Sequence, residues 1–130
     1  MTIIKKINGV NQIYNEAGPQ LEGSLVPNSN GLSPKELLEA SLGLCIAISL
    51  QKIFERDTIE VDEKAISIEV TAVKALNSPS RFEKFDVSIA LPNQFSDEYK
   101  QKLIISVERA CTIGNTLKNG VTIHTIEHAE

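Results

Sequence analysis

The sequence contains no tryptophan, and only two tyrosines and four phenylalanines in 130 residues. A surface that stacks on bases needs aromatic platforms, so this chain is poorly equipped for one. Positive charge is not in excess either: 13 Lys and Arg face 17 Asp and Glu, interspersed, for a formal charge of −4. Without a basic stripe, no nucleic-acid partner is expected. The uncharged apolar stretch 40–50 has eleven residues. That is too few to span a bilayer, so no membrane partner is expected. The opening MTIIKKINGV lacks the apolar core and cleavage site of a signal peptide, which points to a cytoplasmic protein. There is no glycine-rich phosphate loop and no Ser-His-Asp arrangement, and no cofactor is called for. Cysteine is scarce, with two residues. In a reducing cytosol such a pair reads as free thiols or a transient redox couple, not a structural bridge.

What is present fits a globular chain. An apolar fraction of 42% and a charged fraction of 23% are ordinary, and the length fits one domain over 1–130. The dominant element is a helix over 33–54. Ser33 is placed as its N-cap, Pro34 at its first position and Glu36 three residues after the serine. That is a capping box, in which hydroxyl and carboxylate satisfy each other's free backbone N–H groups. Beyond the cap the apolar residues go round every side, so this helix is expected to be buried on all faces. Cys45 sits near its centre.

Strands surround it. Residues 3–7 and 10–14 flank Asn8-Gly9, the pair best suited to a two-residue hairpin turn, and 21–26 reads as a third strand. Residues 27–31 read as loop. After a charged connection over 55–64, strands of period two are expected over 66–73 and 84–91, with their turn at 77–80 and Arg81 just before the second. Ser96, followed by Asp97 and Glu98, starts an amphipathic helix ending near Ala110. A shorter helical turn runs from Cys111 through Leu117 to a stop at Asn119-Gly120. Residues 121–126 read as a last strand. The fold class is α+β.

Cys45 reads in two ways: a small core hydrophobe, or a reactive thiol. Burial raises a thiol pKa, and Cys45 lies about 18 Å from its helix start, beyond reach of that dipole. A reactive Cys45 therefore needs a cation from elsewhere, and Lys5, Lys6, Lys35, Arg81 and Arg109 are the candidates. Cys111 has the better local setting, since free N–H groups at a helix start stabilise a thiolate. A half-buried residue at a helix junction is its bland alternative.

The stretches GLSPKELLEASLGLC, ending at Cys45, and ACTIGNTL, with Cys111 as its second residue, resemble the OsmC/Ohr family of hydroperoxide-reducing proteins, in a divergent branch. The resemblance covers nearly the whole chain. It implies an OsmC-like fold: an antiparallel sheet with a long buried central helix, in an intertwined homodimer with two active sites at the interface. It implies a thiol peroxidase with an antioxidant, stress-response role, acting on organic hydroperoxides. Cys45 would attack the O–O bond and become a sulfenic acid, and Cys111 would resolve it to a disulfide. A dithiol reductant, a lipoyl protein or a small thiol, would then reduce that disulfide.

Two departures stand out. Catalytic members carry a Glu directly after the proline, where this chain has Lys35. They also hold the first cysteine with an Arg from the N-terminal strands, and no Arg occurs here before Arg56. Glu36 and Lys35 are the candidates for a supporting role, the first also explained by the capping box and the second by solvent. Two rival readings stay open. One is a non-catalytic dimer of the same fold binding a small hydrophobic ligand. The other is different cysteine chemistry, the acceptance of an acyl or sulfur group. The pattern H-x-x-E-H at His124 to His128 is rejected as a zinc site. On a strand its two histidines would lie about 13 Å apart, against a zinc–nitrogen distance of about 2 Å.

Overall fold

A computed structural model describes residues 1–128. The element order is β1(Ile3–Ile7), β2(Val10–Asn15), β3(Gly18–Gly23), β4(Gly31–Leu32), α1(Pro34–Arg56), a 3₁₀ turn at Glu63–Ala65, β5(Ser67–Ala75), β6(Ser78–Ala90), α2(Asp97–Ala110) and α3(Thr112–Asn119). The architecture is α+β, as expected. The chain forms two compact units, one of Met1–Ser41 with Val70–Val87, the other of Leu42–Glu69 with the chain from Ser88 on.

The first unit holds a four-stranded sheet of order β1-β2-β3-β4. Asn8 and Gly9 both have positive φ, +53° and +80°, the mirror-image turn that matches the twist of two antiparallel strands. Ile7 accordingly pairs with Val10 and Ile3 with Tyr14. The third strand lies three residues earlier than expected, at Gly18–Gly23, and carries Pro19 opposite Tyr14 at a register shift between Ile13 and Tyr14. A bulge is one of the few places in a sheet where the missing proline N–H is tolerated. The supposed loop ends in a short strand: Gly31 and Leu32 pair parallel to Glu22 and Gly23. Any Cβ at Gly31 would collide with the Glu22 carbonyl, so only glycine permits that approach. In the hairpin from β5 to β6 the turn is Leu76-Asn77, and Ser78, Pro79 and Arg81 belong to the strand.

The capping box at Ser33 is formed. The Glu36 N–H donates to Ser33 Oγ (3.3 Å), and the Ser33 N–H donates to Glu36 Oε1 (2.9 Å). One turn on, Glu39 accepts from Lys35 Nζ and from the Ala72 N–H, both at 2.8 Å. Burial raises the Glu39 pKa, but these two donors outweigh it and hold the carboxyl below its usual range.

In the second unit, Leu42, Ile46, Leu50, Ile53 and Phe54 of α1 are buried with Leu103 and Val107 of α2. Phe54, Phe95 and Tyr99 form an aromatic chain with centroids 5.8 and 5.1 Å apart. Tyr99 also donates to Asp57 (3.1 Å). The expectation of a helix covered on every face is corrected: Leu44 is 63% exposed and Ile48 44%. Among the described residues, Leu44 and Ile48 thus leave an apolar strip of α1 exposed. By length and hydropathy alone α1 could cross a membrane. The core helix of a globular domain passes the same test, and its buried Phe54 stacked against Phe95 is core packing.

Residues 121–126 form no strand; Val121, Ile123 and Ile126 are unpaired and exposed. A strand pattern supplies propensity, whereas a strand needs a neighbour to take its backbone hydrogen bonds. Among the described residues no cluster of His, Cys, Asp or Glu could hold a metal.

Candidate active site

Both cysteines belong to the second unit, and the structure brings them together. Cys45 comes from α1, where Ser49 Oγ donates to its carbonyl (2.9 Å). Cys111 comes from the junction of two helices. It closes α2, its N–H donating to the Val107 carbonyl, and it opens α3 as N-cap. In that second role its sulfur accepts the Gly114 N–H at 3.3 Å. The start of α3 lies against α1: a Cβ at Gly114 would stand 3.7 Å from Leu42 Cδ1 and 3.4 Å from Cys111 Sγ. Leu42 is three residues before Cys45, on the same side of the helix.

This arrangement splits the two thiols electrically. The Ile113 N–H acts most strongly on the Cys45 sulfur. Burial opposes it, and the Cys111 S–H, the Thr112 N–H and the Lys52 charge reinforce it. Together they hold the Cys45 thiol below its ordinary range. Cys111 is moved the other way: burial pushes it up, the Cys45 sulfur beside it adds to the rise, and the Gly114 N–H only partly offsets both. Hence Cys45 is the more readily ionised member of the pair and Cys111 the less readily ionised. Both are free thiols, Cys45 half-buried and Cys111 2% exposed.

The expectation that Cys111 had the better setting for a thiolate is reversed. The N–H groups that begin α3 are there, and those of Gly114 and Ile113 pull on Cys111, but burial and the neighbouring sulfur outweigh them. The Ile113 and Thr112 N–H groups act on Cys45 as well. The cation that acts on Cys45 is Lys52, none of the five candidates read from the sequence. It lies seven residues on in the same helix, two turns along the same face, a spacing that was legible. Glu36 and Lys35 are occupied locally, in the capping box and in the pair with Glu39. What the sequence could not offer was the role of the Ile113 backbone, since an N–H carries no residue signature.

Similarity to known proteins bears on this site. The chain matches the family described as OsmC-like protein over residues 27–126. No curated protein matches it. Its fold is similar to that of the OsmC-like protein from Mycoplasma pneumoniae, with a TM-score of 0.77 and 14% identity over 91% of this chain and 86% of that one. The organic hydroperoxide resistance protein OhrB of Bacillus subtilis aligns with a TM-score of 0.59 and 18% identity over 91% and 90% of the two chains. An organic hydroperoxide resistance protein OsmC from Legionella pneumophila gives 0.61 and 16% over 91% and 89%. With both thiols placed on that fold, the chain belongs to the OsmC-like protein family.

Proposed function

We propose that this protein is a cytoplasmic thiol-dependent peroxidase that reduces organic hydroperoxides, with Cys45 as the attacking thiolate and Cys111 as the resolving thiol. The observation that carries this reading is the polarity of the pair: thiol acidity is strengthened at the half-buried Cys45 and weakened at the buried Cys111 beside it. A peroxidatic sulfur must be ionised and reachable, and its resolving partner must wait close by.

The Cys45 thiolate attacks the outer oxygen of ROOH. The O–O bond breaks, the alkoxide leaves and takes a proton as ROH, and Cys45 becomes a sulfenic acid. Cys111 sulfur then attacks Cys45 sulfur. The S–S bond forms as the S–O bond breaks, and the departing hydroxide leaves as water with the Cys111 proton. A dithiol, of the lipoyl-protein or small-thiol class, reduces the disulfide by two exchanges and is itself oxidised. The N–H groups of Ile113 and Thr112 supply the pull on the thiolate that an N-terminal-strand Arg would otherwise give. Stoichiometric organic hydroperoxide added to the reduced protein should consume both thiols and form a Cys45–Cys111 disulfide. Oxidation no faster than that of a free thiol would overturn the reading.

The protein acts as a homodimer in this proposal, for Leu44 and Ile48 leave an apolar strip beside Cys45 that a second copy would cover. Light scattering should give twice the chain mass. A second reading has its own support: an open cleft of about 400 Å³, lined by Leu50, Phe54, Ile59 and Ile66 with Glu55 and Glu63 at its edge, is large enough for a small ligand. A ligand retained through purification, bound equally by Cys45→Ser, would favour that binding role.

A further inference from the structure

Among the described residues all three α-helices begin on a side-chain acceptor, and one of those acceptors is a thiol. Ser33 caps α1, Ser96 caps α2 through the Tyr99 N–H (3.1 Å), and Cys111 caps α3 through the Gly114 N–H (3.3 Å). Serine hydroxyls are untouched by mild oxidation. The thiol cap is also the group that the proposed reaction converts, so the reaction and the helix compete for one sulfur.

α3 is poorly placed to lose its cap. It has eight residues and none of them is buried. So short a helix is marginal in water without outside support. Its other ties include the Asn115 N–H to the Cys111 carbonyl, the Asn115 side chain to the Arg109 carbonyl, the Thr116 hydroxyl to the Thr112 carbonyl, and the closing bond from the Gly120 N–H to the Thr116 carbonyl. Ala110, before the cap, has no side-chain acceptor to substitute. Once joined to Cys45, the Cys111 sulfur is oriented by the cross-link and is a poorer acceptor than a thiol or thiolate.

The reaction also sets a requirement that the reduced arrangement meets at one sulfur only. Reducing the disulfide requires a thiolate to reach one of its sulfurs; Cys45 is half-buried, and Cys111 is 2% exposed. Resting on the peroxidase reading above, we propose that α3 is a redox-operated gate. Disulfide formation withdraws the Cys111 sulfur from the Gly114 N–H, the first turn of α3 loosens, and the disulfide is uncovered for its reductant. Reduction returns the sulfur to its capping position and closes the site.

Amide hydrogen exchange on the whole chain, reduced and after stoichiometric cumene hydroperoxide, tests this, with the disulfide verified by intact mass. The expected result is exchange at least about fivefold faster at the Gly114 amide and along α3 in the oxidised protein, the scale of one lost cap, with mid-α2 amides unchanged. Two variants separate the causes. Cys111→Ser keeps an acceptor and cannot cross-link, so its α3 should stay protected with or without hydroperoxide. Reduced Cys111→Ala has no acceptor, so its α3 should exchange like that of the oxidised parent. A verified disulfide with α3 protection unchanged would overturn the gate and leave the peroxidase intact, as would full protection in Cys111→Ala. Failure to form the disulfide would overturn the peroxidase reading, and the two variants would still decide whether the thiol caps α3.

Discussion

Cys45 lies in the middle of a 23-residue helix, half-buried, its backbone fully engaged in that helix. Cys111 opens an eight-residue helix, is 2% exposed and holds part of the backbone in place with its own sulfur. The same functional group is thus tuned in opposite directions a few ångströms from its counterpart. The middle of α1 has no free N–H groups and adds only the Lys52 charge, so Cys45 takes its strongest pull from the start of α3. Cys111, which sits at that start, is held by burial above the ordinary thiol range. The element that owns a set of free N–H groups need not be the one that uses them.

The strongest way to break this comparison is to remove each sulfur in turn. Cys45→Ser should reduce hydroperoxide consumption, measured with an excess of dithiol, to the background rate. Cys111→Ser should still form the sulfenic acid but should stall there and over-oxidise to sulfinic acid, visible by mass spectrometry. If the two variants fail at the same step, the division of roles is wrong.

Alkylation against pH gives the next largest effect. As pH rises, Cys45 should react at a midpoint below the ordinary thiol range and Cys111 at one above it. The pair titrates in two coupled steps. Cys45→Ser should therefore bring the Cys111 midpoint down, because the neighbouring charge that raises it has gone. The linkage to stability has a definite sign. Stabilisation from the depressed Cys45 value is present above its unfolded value and lost as pH falls through the folded one. The raised Cys111 value works against the fold as pH climbs past the unfolded thiol range.

The caps sharpen the comparison further. Ser33→Ala should cost about 1 kcal/mol in urea unfolding, and by the same amount in reduced and oxidised protein, since nothing at α1's start is redox-active. Unequal costs would mean that oxidation reaches the first turn of α1. The smallest effect belongs to Lys52→Gln. Lys52 is solvent-exposed and the weakest of the contributors to Cys45, so the rate of sulfenate formation should fall by about twofold or less, and less again at high salt.

Much of this molecule was legible in its residues because the signals were local. Asn8-Gly9 demands positive φ at two successive residues, and both have it. Ser33-Pro34 with Glu36 specifies a helix start to the residue, and the capping box is there. Asn119-Gly120 stops α3, with Gly120 at a positive φ of 71°. The family resemblance was carried by two motifs and held. Legibility failed where structure depends on a partner distant in sequence. Gly31 and Leu32 are a strand solely because Glu22 and Gly23 run alongside. Residues 121–126 have the alternation of a strand and pair with no strand among the described residues.

The sequence by itself determined the fold class, the helix starts, the first hairpin and the two sulfurs on which chemistry could rest. Tertiary structure decided which sulfur ionises. A thiol's acidity is set by the burial and the dipoles around it, and the Ile113 N–H that acts most strongly on Cys45 lies 68 positions further along the chain.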